Sequence, residues 1–186
     1  MLRAETSPQA QPLAPARVVA GSIAAAATVV WLVEYGIAIE AVVAAAFFAT
    51  LAYISAVDVE TRRIPNAVVL PAAAVALTAV AILHTGELAI AAIAAVGAFL
   101  FFFIPSLISS KLVGAGDAKL ALLIGVMLGS DVLSALLLAT FAAGFVAVAY
   151  IAIAGRRALK ADIPLGPFLA GGAVIALVAS GGTLYS

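Results

Sequence analysis

The chain has 186 residues, of which 66% are hydrophobic and 10% charged, with a mean hydropathy of +1.28. Soluble domains carry roughly a quarter charged residues, so this composition excludes an ordinary water-soluble fold and reads as an all-α, polytopic membrane bundle. Nine Lys and Arg balance nine Asp and Glu, which excludes a basic nucleic-acid-binding surface, and the absence of Cys excludes disulfides and Cys-ligated metals or iron–sulfur clusters.

Residues 1–16, MLRAETSPQAQPLAPA, are rich in Pro, Gln and Ala. They read as a flexible tail without the basic, apolar and small-residue order of a cleaved signal peptide. One transmembrane domain, 17–186, follows. A hydrocarbon core of about 30 Å takes about 20 apolar residues as helix. Seven candidate stretches follow one another at about 18–34, 37–57, 65–83, 88–108, 117–129, 131–154 and 163–183. The fifth is short. It is a half-span, or it joins the sixth by a tight turn through Gly129-Ser130-Asp131, so the expected count is seven spans or six with a re-entrant piece. Ala, Val, Leu and Gly dominate, and small residues let membrane helices approach closely.

The basic residues set the orientation. Arg3 and Arg17 precede the first stretch, Arg62 and Arg63 follow the second, Lys111 and Lys119 flank the start of the fifth, and Arg156, Arg157 and Lys160 precede the seventh. The remaining connections hold Glu34, Glu40, His84, Glu87 and Asp131 and no Lys or Arg. If seven helices alternate, all nine basic residues share one side. That predicts a multi-pass protein of the plasma or inner membrane with its N-terminus in the cytoplasm and its C-terminus outside.

The same count brings two carboxylates to the cytoplasmic border. Asp58 ends the second stretch in AVDVETRRIPNAVV, and Asp117 opens the fifth in VGAGDAKLALLIG. Stretches three and four form one round trip between them, so both carboxylates return to one depth. Ionisable residues on membrane helices that face a bundle interior are functional candidates. Two carboxylates are also the minimum for aspartic-type hydrolysis: one, ionised, takes a proton from water, and the other, protonated, hydrogen-bonds the scissile carbonyl. Structural roles compete with this reading. Asp117 suits a helix N-cap, and Asp58 pairs with Arg62 at i, i+4 if the helix runs on to Arg63. Pro65 is expected to stop the second helix and Asn66 to cap the third. Gly114 and Gly116 permit positive φ and close backbone approach. That gives an extended peptide clearance beside Asp117, or simply a loop leading into a helix.

Lys119 falls about 200° around a helix from Asp117, so it is expected to snorkel or mark topology rather than touch that carboxylate. Arg62 and Arg63 read as topology determinants, as groups that tune Asp58, or as docking points for acidic headgroups. Pro164 and Pro167 fit the first turn of the last helix. His84 is the sole histidine and HExxH is absent, so no metal site is expected. A Ser180–His84 dyad is a remote alternative. Phe99 and Phe101 to Phe103 read as lipid contact or core.

DVETRRIPN (58–66) and GAGDAKL (114–120) resemble the two signature stretches of the type IV prepilin peptidases, a family of GxGD membrane aspartyl proteases. IPLGPFLAGG (163–172) is similar to the Pro-Gly-Pro segment that follows in that family, and the three occur in the family's order. The resemblance implies that Asp58 and Asp117 are the catalytic pair. It also implies that Gly114, Gly116, Lys119, Pro65, Asn66, Pro164, Gly166 and Pro167 support the site or bind substrate. The implied partners are prepilin-like or preflagellin-like precursors with a short basic leader and an apolar helix behind it, besides membrane lipids. Cleavage would fall at the cytoplasmic face, typically after a Gly, with no cofactor. Many bacterial members carry a Cys-containing N-terminal domain and also N-methylate the product. This chain resembles the short form without that domain, so no methyl transfer and no S-adenosylmethionine site are expected. The rivals are a small transporter or channel using Asp58 and Asp117 as proton or cation sites, and an inactive assembly partner that retains the fold.

Overall fold

The computed structural model describes residues 39–108, 114–155 and 163–181, together with Val19 and Ser22. The tail and nearly all of the first apolar stretch lie outside the described residues, as do Arg3, Arg17, Lys111, Arg156, Arg157 and Lys160. Every regular element among the described residues is helical: α1 (Ile39–Thr61), α2 (Asn66–Leu83), α3 (Leu88–Ile108), α4 (Ala115–Leu128), α5 (Val132–Ala154) and α6 (Gly166–Ala179). Short 3-10 turns, Thr85–Glu87 and Gly129–Asp131, lead into α3 and α5.

Four runs are long and apolar enough to cross a membrane: Ile39–Thr61, Asn66–Leu83, Thr85–Ile108 and the joined run Ala115–Ala154. The protein is a helical membrane bundle. Apolar side chains face outward along its helices, with Phe145 76% and Ile153 86% exposed. Only lipid removes such a surface from water. Hydroxyls within the helices bond back to their own backbone, as Thr50 does to the Ala46 carbonyl and Thr140 to that of Leu136. Such bonds keep serine and threonine hydroxyls from facing hydrocarbon unpaired.

The fifth stretch turns out to be the centre of the bundle. Helix α4 has 14 residues, about 21 Å at 1.5 Å per residue, which is short of a full span. Its buried residues run from Ala118 through Leu128 on every side. An all-round apolar helix is stable only when neighbours cover it, and α3, α2 and α6 do so, α3 most extensively. The contact with α3 is tight because of Gly125: a Cβ there would come within 2.7 Å of the Ala94 carbonyl oxygen. At the far end Gly129 takes φ 53°, and the chain turns directly into α5. The tight-turn connection expected through Gly129-Ser130-Asp131 is therefore the one found.

The described charges divide between the two ends. Glu40, at the start of α1, lies 3.7 Å from His84, at the end of α2. Arg62, Arg63 and Lys119, the Lys and Arg residues among those described, gather at the opposite end, where Lys119 Nζ donates to Asn66 Oδ1 at 2.9 Å.

Candidate active site

Asp58 reaches the interior by helical register. In α1 the buried residues Ala44, Phe48, Leu51 and Ile54 recur every three or four positions, and Asp58 is the next step of that stripe. Its exposure is 5%, and it is the one buried charged residue among those described. A carboxylate so placed needs hydrogen bonds to offset its lost water. The partner comes from 108 positions away: the Gly166 N–H donates to Asp58 Oδ2 at 2.9 Å. The approach requires glycine, because a Cβ on Gly166 would sit 2.8 Å from that oxygen.

Helix α1 ends otherwise than expected. It stops at Thr61 because Arg62 adopts φ 55°, the left-handed conformation. Pro65 lies beyond that break and begins the next helix rather than ending this one: its carbonyl accepts the N–H groups of Val68 and Val69. Asn66 is the first helical residue, with Pro65 as the cap and no side-chain cap bond. The expectation that Asn66 caps the third span is thus corrected. Its side chain is instead taken by Lys119.

Asp117 is the third residue of α4. Its backbone N–H donates to the Gly114 carbonyl at 3.0 Å, and its Oδ2 accepts the Gly114 N–H at 2.9 Å. The capping role weighed for this residue is real, although Asp117 acts from inside the helix and Gly114 is the cap. The two glycines differ from expectation. Gly114 takes φ −78°, and the clearance at Gly116 is filled by Ile64, whose Cβ would lie 3.0 Å from a Cβ there. The space at Gly116 thus docks the segment after α1.

All three motif stretches therefore meet at one end of the bundle. Ile64 packs on Gly116, Lys119 bonds Asn66, and Gly166 bonds Asp58. Asp58 lies near enough to Asp117 to act on its charge, and Arg62 acts on Asp58. Lys119 reaches Asn66 rather than Asp117, as the 200° offset requires. Pro164 precedes α6 and Pro167 is its second residue, so only Pro167 lies in the first turn. Ser180 donates to the Leu177 carbonyl within its own chain segment, and His84 lies beside Glu40, so the remote dyad is not formed. Phe102 is buried, Phe101 is exposed, and Phe99 stacks on Phe103 at 4.8 Å. The aromatic run thus divides between core and lipid surface. Sequence reasoning missed Ile64 and the left-handed Arg62. No local signal marks either, since glycine or asparagine normally takes that conformation.

The class is a helical membrane bundle, with one buried carboxylate near a second at one end of its helices. Comparison with known proteins gives the family. The family model described as "Type IV leader peptidase family" matches residues 45–152, more than half the chain. A prepilin leader peptidase/N-methyltransferase of Bacillus subtilis (strain 168) is 30% identical over 149 residues, which cover 77% of this chain. The chain spans 58% of the length of that relative. No solved structure matches. The chain belongs to the type IV leader peptidase family.

Proposed function

We propose that the protein is a membrane aspartic endopeptidase that removes the basic leader of type IV prepilin-like precursors at the cytoplasmic face, with Asp58 and Asp117 as the catalytic pair. The observation that carries this reading is the setting of Asp58. It is a buried carboxylate with one oxygen held by a backbone N–H, beside a second carboxylate from a distant stretch. In the reaction one aspartate is ionised and removes a proton from water. The resulting hydroxide attacks the scissile carbonyl carbon, while the other, protonated, aspartate hydrogen-bonds the carbonyl oxygen. The tetrahedral adduct collapses, the amide nitrogen leaves with the proton that the first aspartate took from water, and the dyad is left with the single proton it began with.

Family membership supports the substrate class. A precursor with a basic leader and an apolar helix suits a site at a membrane border, since the helix lies in lipid while the leader stays in water. The gathering of Arg62, Arg63 and Lys119 at the aspartate end supports the cytoplasmic placement, and with it a plasma- or inner-membrane location. A transporter using the same carboxylates would place them near mid-membrane, whereas Asp58 is in the last turn of α1 and Asp117 in the first turn of α4.

The test is cleavage of a co-expressed prepilin by Asp58→Asn and by Asp117→Asn. Each is expected to lose processing entirely while accumulating in the membrane at the wild-type level. Normal processing by either variant rejects the catalytic assignment.

A further inference from the structure

We propose that Gly166 is a positioning residue of the peptidase site: its N–H, together with its lack of a side chain, sets the direction in which the Asp58 carboxylate faces. The inference rests on the aspartic-peptidase reading above and adds to it a role for the Ile163–Leu169 segment.

The first turn of any helix has N–H groups with no partner inside the helix. In α6 each is accounted for. Pro167 has none, and the N–H groups of Phe168 and Leu169 donate to the Leu165 carbonyl at 3.1 and 3.0 Å. Gly166 is left with the one free donor, and it goes to Asp58 Oδ2 at 2.9 Å. The Leu-Gly-Pro order thus supplies a single amide, on the only residue type that fits, flanked by a residue that cannot compete for the carboxylate. Hydrogen bonds to charged acceptors are about twice as strong as neutral ones, and the positive end of α6 adds to the attraction.

The fit leaves no slack. A Cβ on Gly166 would lie 2.8 Å from Asp58 Oδ2 and 3.1 Å from Asp58 Cβ. The second of these atoms cannot swing away, because it is fixed to the α1 backbone. Nor is α6 free to retreat, since Leu169, Gly172 and Ala173 are buried in its packing. Oδ2 is therefore occupied and fixed in place. Oδ1 has no hydrogen-bond partner among the described residues, and it is the oxygen left to face water and substrate. Asp117 is held by contrast from within its own segment, through Gly114. One carboxylate is oriented locally and the other by a helix that arrives later in the chain.

Positioning predicts a change in turnover rather than in substrate affinity. The experiment uses the full chain in liposomes with a synthetic precursor peptide carrying a basic leader, a Gly at the cleavage point and an apolar helix. Gly166→Ala is expected to lower kcat at least 100-fold with KM within twofold of wild type. Gly171→Ala, the same change in the same helix where the added Cβ meets open space, should leave both constants unaltered. A second variant guards against misfolding of the first. Replacing Gly166 by glycolate during in vitro translation exchanges its N–H for an ester oxygen without adding bulk. It should lower kcat about tenfold or more, the loss expected for one hydrogen bond to a charged group. Wild-type kcat in the glycolate variant, with Asp58→Asn inactive, overturns the positioning role and leaves the peptidase reading standing. Cleavage by Asp58→Asn overturns the reading itself.

Discussion

At the scale of single residues, the informative feature is how polar groups are satisfied in an apolar chain. Asp58 takes the Gly166 amide, Asp117 takes the Gly114 amide, and Lys119 takes the Asn66 side chain. The last of these bonds links two motifs 53 positions apart and is exposed to solvent. Solvent screening keeps exposed contacts of a charged side chain to about 1 kcal/mol or less. Lys119→Met is therefore expected to lower the melting temperature in detergent by only a few degrees and prepilin cleavage by less than tenfold. A loss as complete as that of Asp117→Asn, measured in the same cleavage assay, would move Lys119 into the chemistry. Both aspartates were legible from the sequence as candidates, because a carboxylate in an apolar run stands out. Their hydrogen-bond donors were not, because a backbone N–H has no sequence signature.

At the scale of elements, the helix ends carry the candidate site and depart most from simple rules. The link Arg62–Pro65 turns the chain from α1 to α2, and the turn is made by Arg62 at φ 55° rather than by the proline. A non-glycine residue there is strained by roughly 1 kcal/mol. Arg62→Gly should therefore raise thermal stability in detergent by up to about 1 kcal/mol, read as a higher melting temperature. A lower melting temperature would mean that the Arg62 side chain stabilises the fold by more than its backbone costs. The contact between α3 and α4 makes the opposite prediction. Gly125→Val forces a side chain against the Ala94–Ala95 backbone. Overpacking of this kind costs about 1–3 kcal/mol, so the variant should melt earlier or fail to accumulate. The extents of α2 and α3 were legible to within a residue or so, because bilayer thickness sets span length. The short central α4 was legible as an anomaly, but its place in the bundle was not. An apolar helix reads the same whether protein or lipid surrounds it.

At the scale of the whole molecule, the two ends of the bundle differ in charge, and this fixes a testable orientation. The chain has no native Cys, so single cysteines report cleanly. With a membrane-impermeant maleimide on intact cells, Thr85→Cys, in the turn before α3, is expected to label. Arg63→Cys, at the end of the bundle that holds the aspartates, should label only after the membrane is opened. The reverse pattern would place the site outside and reject cytoplasmic processing.

Composition alone determined that this is a helical membrane protein, since a chain so apolar cannot stay dissolved in water. Three short motifs determined the family, because their residue types and order are specific. Tertiary structure decided what those motifs do to one another. It turned Asp58 inward along one face of a helix whose faces look alike in sequence, brought Gly166 against it from 108 positions away, and filled the Gly116 notch with Ile64. Such choices depend on which helix packs against which, and in lipid that is settled by close van der Waals fit and a few hydrogen bonds, neither of which leaves a pattern in the order of residues.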